Sequence, residues 1–96
     1  MTPGRTQTAF EALGYAPEQA EHLRIRADMM IALGEVIADR GWTQAEAARA
    51  LGVTQPRISD LHRGKIDRFS IDTLVHLLSV AGAEVTFKVG RPRSAA

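Results

Sequence analysis

Gln55, Arg57 and Ser59, at alternate positions along the chain, carry the chemistry needed to read the edges of base pairs. A glutamine amide pairs bidentately with adenine, a guanidinium matches the two acceptors of guanine, and a hydroxyl bonds to either. For Arg57 a phosphate contact is the alternative, and Asp60 orders Arg57, rejects a misplaced phosphate, or is simply solvated. A second set suits phosphate. Arg63, Lys65 and Arg68 follow closely as cations, and Thr43, Gln44 and Thr54 stand where helices would begin and backbone N–H groups point outward. No other constellation competes. His22, His62 and His76 fall on three separate segments without metal-ligand spacing, there is no cysteine, and no glycine-rich phosphate loop is present. The reading is therefore a binding protein and not an enzyme, with no cofactor or metal.

The elements that must position these groups are legible around them. Thr43 is an N-cap, and Glu46 three residues later completes a capping box. Ala47, Ala48 and Leu51 supply the buried side of a first helix. Gly52 stops it in a left-handed conformation. Thr54 caps a second helix, with Pro56 in its first turn, where a missing N–H does no harm. Ile58 and Leu61 share that helix's inner face, which leaves Gln55, Arg57, Ser59 and Asp60 on other faces. Two short helices joined by a glycine turn form a helix-turn-helix, the unit that lays its second helix in the major groove. An ordinary helical hairpin is the alternative.

Composition agrees with a small single domain. The chain has 96 residues and a formal net charge of only +1, but the charge is unevenly spread. Residues 1–39 hold three bases against six acids, a net of −3, and residues 40–69 hold six bases against three acids, a net of +3. The basic third coincides with the motif. The longest apolar run, 29–33, is far too short to cross a membrane, and the first residues show no signal-peptide pattern. The absence of cysteine suits a reducing cytoplasm, the expected location.

Outside the motif, three regions are expected: an N-terminal segment 1–16, a folded unit 17–89, and a disordered tail 90–96. A helix should run from Pro17 to about Arg40 and stop at Gly41. Leu23, Ala27, Met30, Gly34 and Ile37 form one apolar stripe on it, with Gly34 permitting close approach of a neighbour. Ile25, Met29, Ala32 and Val36 form a second. The surplus must be covered by the N-terminal segment or by another chain. Trp42 is expected in the core, with a DNA contact as the alternative. A last helix starts at Ser70 and ends at Gly82, burying Ile71, Leu74, Val75, Leu78 and Ala81, with Phe69 stapled to Leu74. Residues 83–89 then alternate with period two, a strand pattern. Two copies paired antiparallel about Thr86 would set Glu84 against Lys88 and Val85 against Phe87. The last helix would pack across the axis through Leu77 or Val80. The segment near Thr8–Phe10, or another protein, is the rival partner.

Gln44, Ala48, Gly52, Ile58 and Leu61 fall at the spacing of the phage-repressor helix-turn-helix, and this segment resembles the Xre family. The wider order resembles a narrower group over roughly residues 9–89. That order is Phe10-x-x-Leu13-Gly14, a long helix, W-T-Q-A-E-A-A, Q-P-R-I-S, R-G-K, F-S-I-D-T-L and a closing strand. The group is the HigA-like antitoxins of toxin–antitoxin operons. The resemblance implies a mainly α, four- to five-helix phage-repressor-like fold with a C-terminal β-strand. It also implies neutralisation of a RelE/HigB-like toxin and repression of the shared operon, and since DNA-reading motifs of this size work as two-fold dimers, a homodimer on a palindromic double-stranded operator is expected. A stand-alone regulator, or an interaction module with a structural helix-turn-helix, is the alternative.

Overall fold

Helix starts follow the capping residues. The computed structural model describes residues 9–90. Among them it contains α1 (Ala9–Ala12), α2 (Pro17–Asp39), α3 (Gln44–Leu51), α4 (Gln55–His62) and α5 (Ile71–Val80), with a 3-10 turn at Ile66–Arg68. Thr43, Thr54 and Ser70 each accept a hydrogen bond from the backbone N–H three residues on, which satisfies one orphan donor of the helix that follows. At the start of α2, where Ala16 has no acceptor of its own, the Gln19 carboxamide reaches back to the Ala16 N–H at 3.2 Å.

The core forms where α2, α3, α4 and α5 meet. Met30, Leu33 and Ile37 from α2 interlock with Ala47, Ala48 and Leu51, with Ile58 and Leu61, and with Phe69, Leu74, Leu77, Leu78 and Ala81. Alanines at 47 and 48 let α3 lie close, and the larger side chains fill the space that remains. Gly52 takes φ 73°, the left-handed turn that a side chain would strain. Gly82 ends α5 at φ 89°, and a Cβ there would come within 2.7 Å of the Arg40 guanidinium. Arg40 donates to the Ala81 carbonyl, so a cation meets the negative end of α5 and ties it to the end of α2.

Several expectations change in three dimensions. Gly34 is not a contact point among the described residues, since a Cβ there would meet none of them within 4 Å. Leu33, in neither apolar stripe of the sequence reading, is completely buried. Leu77 is 3% exposed and belongs to the core of its own chain, so it is not free to pack across a dimer axis. Ile71 and Val75 are half-buried, flanking that core.

The expected β-strand is not formed among the described residues. Glu84, Val85, Thr86, Phe87 and Lys88 are irregular and exposed. A strand exists only as part of a ladder, and the described residues offer this segment no edge. Thr8, in the rival partner segment, lies outside the described residues, and Ala9 and Phe10 are helical. Of the expected disordered tail, residues 91–96 likewise lie outside the described residues. Along the second stripe of α2 a further cover appears, while residues 1–8 of the expected N-terminal cover lie outside the described residues. Met29, Ala32 and Val36 share a groove with Leu78 and residues 83–86, so the C-terminal segment runs back along α2. Phe10 instead faces Ala27, Met30 and Ile31 on another side of that helix.

Candidate nucleic-acid interface

Gln44 opens α3 and Gln55 opens α4, and both are exposed. The first turn of any helix has N–H groups without intrahelical partners, and these favour an anion. The two ends differ. At α3 the capping box is closed: Glu46 N–H donates to Thr43 Oγ1 at 3.1 Å, and Thr43 N–H donates to Glu46 Oε1 at 2.9 Å. The Glu46 carboxylate weakens that end's attraction for phosphate, which leaves the Thr43 hydroxyl and the Gln44 amide as donors. At α4, Arg57 N–H donates to Thr54 Oγ1 at 3.3 Å, and Pro56 has no N–H. Thr54 thus caps α4 as Thr43 caps α3, and its hydroxyl hydrogen, the Gln55 N–H and the Gln55 amide are the donors that remain at this end.

The cations separate into two kinds. Arg63 is exposed and Lys65 half-buried, and among the described residues neither side chain has a hydrogen-bond or ion-pair partner. Ser59, on α4, is half-buried and likewise uncommitted among them.

Arg57 and Arg68 are engaged with the protein. Arg57 folds back, its Cζ 4.5 Å from the centroid of the Phe69 ring, and its Nη1 donates to the Arg68 carbonyl at 2.9 Å. Arg68 Nη1 reaches Asp60 Oδ2 at 3.2 Å, so Asp60 orders Arg68 and not Arg57. The reason is distance along the fold. The 3-10 turn brings Phe69 and the Arg68 carbonyl beneath Arg57, where they supply an apolar face and an acceptor together.

Arg26, which the sequence alone does not single out, grips the same turn from α2. Its Nη1 donates to the Ile66 carbonyl at 3.2 Å and to the Phe69 carbonyl at 3.4 Å. The one signal in the letters is a lone cation among Ile25, Ala27, Met29 and Met30. Trp42, expected in the core, is half-buried against it with the Arg40 guanidinium 5.5 Å from its ring centroid. Farther along α2, Arg24 bonds to Glu21 and Asp28. The hydrogen bond to Glu21, aided by the charges of Glu21 and Asp28, raises its pKa above the ordinary guanidinium value. Among the described residues no helix is long and apolar enough to cross a membrane.

Two capped helices about a left-handed glycine, with glutamines at both N-termini and uncommitted cations after the second, define a helix-turn-helix of the DNA-binding kind. Residues 13–90 match the model of a family described as helix-turn-helix domain. The match spans most of the chain, and the protein belongs to that family. No curated protein matches the sequence.

Proposed function

We propose that this protein is a sequence-specific transcriptional repressor that binds a palindromic operator as a homodimer. We further propose that it is the antitoxin of a RelE/HigB-like toxin, acting in the cytoplasm and repressing its own operon. The observation that carries the DNA-binding half is the outward face of the motif. Exposed Gln44 and Gln55 lie at two helix starts, with Ser59, Arg63 and Lys65 alongside, uncommitted among the described residues. In this reading Gln55 and Ser59 meet base edges, while Thr43, Gln44, Thr54, Arg63 and Lys65 meet backbone.

Lys65 provides the direct test of the backbone interaction. Lys65→Ala should weaken binding to every duplex alike. It should also make the salt dependence of log K shallower by about one for each phosphate no longer neutralised, thus about two per dimer. Titrations of a labelled duplex at several salt concentrations measure this, and an unchanged slope would place Lys65 off the DNA.

The dimer reading is carried by the sequence pattern of residues 83–89. Paired antiparallel with a second copy about Thr86, they set Glu84 against Lys88 and Val85 against Phe87, at roughly 0.2–1 kcal/mol for each cross-strand pair. Phe87 is 88% exposed and Val89 80% exposed in the single chain, so both are free for such a partner. With Leu77 committed to the core, Val80, 47% exposed, is the residue of α5 that remains for the axis.

The antitoxin half rests on the resemblance and on the first third of the chain. That third is net acidic, and Leu13 (75% exposed), Tyr15 (47%) and Ile31 (62%) leave apolar surface open there. Acidic and apolar surface together suits a basic ribonuclease. A chain lacking residues 1–16 should fail to rescue growth when co-expressed with the toxin encoded next to it. Full rescue by the folded truncation would remove this segment from the toxin interface. If the neighbouring gene encodes no small basic RelE-like protein, the stand-alone regulator becomes the better reading.

A further inference from the structure

We propose that Arg57 is a positioning residue for the DNA-binding face and does not itself read a base or clamp a phosphate. The proposal rests on the DNA-binding reading above. Arg57 lies on the DNA-binding helix α4 and is half-buried, and its guanidinium folds back onto the protein surface. One N–H donates to the Arg68 carbonyl at 2.9 Å, and the cationic plane lies 4.5 Å from the centre of the Phe69 ring. Phe69 is itself 1% exposed, so the ring cannot move without disturbing the core.

Two further links run between the same elements. Asp60 of α4 holds Arg68 at 3.2 Å, and the Lys65 N–H donates to the Asp60 carbonyl at 3.0 Å. From the other side Arg26 holds the carbonyls of Ile66 and Phe69. The 64–69 segment, which carries Lys65, is thereby fastened to α4 and to α2 at once. Arg57 adds the strap that joins the α4 face presenting Gln55 and Ser59 to the far end of this segment, at Arg68 and Phe69. A face held in this way needs no reordering when it meets DNA, which is the advantage of preorganisation.

Lysine cannot take over this task. It offers a point charge without the planar fork that stacks and hydrogen-bonds together. Arg57→Lys therefore separates charge from geometry, and Arg57→Ala removes both.

The experiment uses the full chain and two duplexes: one enriched by the wild type from a random-sequence library, and one of random sequence and equal length. Affinities are measured over a range of salt at a temperature where every variant is fully folded by circular dichroism. Arg57→Ala and Arg57→Lys should each weaken both duplexes by a common factor of about ten, the scale of removing one charge-assisted hydrogen bond from an ordered loop. The ratio between duplexes should stay constant, and the Arg57→Lys salt slope should match the wild type. Phe69→Leu should weaken binding similarly, and adding Arg57→Ala to it should cost nothing more.

A loss confined to the enriched duplex would overturn the proposal in favour of base reading. Rescue by Arg57→Lys, with a shallower slope in Arg57→Ala alone, would overturn it in favour of a phosphate contact. Undiminished affinity in both folded variants would leave Arg57 a stabilising residue only, and would equally overturn it. If the wild type enriches no duplex at all, the DNA-binding reading fails and this proposal fails with it. The other outcomes touch Arg57 alone.

Discussion

Phe87→Asp should leave the single chain folded and abolish tight operator binding. Phe87 is 88% exposed and makes no contribution to the core, so the substitution should change the stability of the monomer fold by no more than about 0.5 kcal/mol. In the proposed dimer the same position faces Val85 of the second copy. A carboxylate placed there would have to be desolvated without a partner, which no cross-strand pair could offset. The expected result is a monomer by light scattering. Operator affinity should fall by roughly 10²–10⁴-fold, the gain normally obtained by linking two half-site interactions. Binding to random duplexes should fall far less. A dimer that survives the substitution would remove residues 83–89 from the seam.

The second large effect lies in the core. Leu33→Ala should destabilise the fold by about 2–5 kcal/mol, the range for emptying a fully buried leucine site. Leu33 is completely buried in the cluster formed by α2 to α5, where close packing limits how far the neighbours can collapse into the space. For a domain of this size the loss corresponds to a fall in Tm of roughly 10–30 °C. Ile31→Ala, two residues away on the same helix, is the control. Ile31 is 62% exposed, so its truncation should stay within about 0.5 kcal/mol of wild type. Urea unfolding of both variants measures the difference. Equal stability would mean that α2 is not seated through Leu33.

The contrast between these neighbours shows where sequence periodicity stops. Both are large apolar residues on a helix that is apolar over most of its circumference. Their spacing alone does not say which is inside, because the answer depends on where α5 and α3 lie. Met29, Ala32 and Val36 make the same point. Their stripe is legible in the sequence, but the C-terminal segment that shares their groove is not, since a chain's return path is a tertiary property. Arg26 and Arg57 are legible as charges. That both bend onto the 66–69 turn cannot be read, because their acceptors are carbonyls remote in sequence, and a carbonyl carries no residue-specific signal.

Local chemistry was determined by the sequence itself. Thr43 with Glu46, Thr54 with Pro56, Ser70, Gly52 and Gly82 mark helix ends through short-range hydrogen bonds and backbone conformations that need only a few neighbouring residues. Ala47, Ala48, Leu51, Ile58 and Leu61 follow from those ends, since helical spacing places them on one side. The helix-turn-helix, and with it the family, was therefore present in the letters. The tertiary structure decided what each exposed-looking side chain does once its distant neighbours arrive. It engaged Arg57 and Arg68 and left Arg63 and Lys65 uncommitted among the described residues. It also left 83–89 without a ladder, because a strand needs a second edge and the single chain supplies none among the described residues.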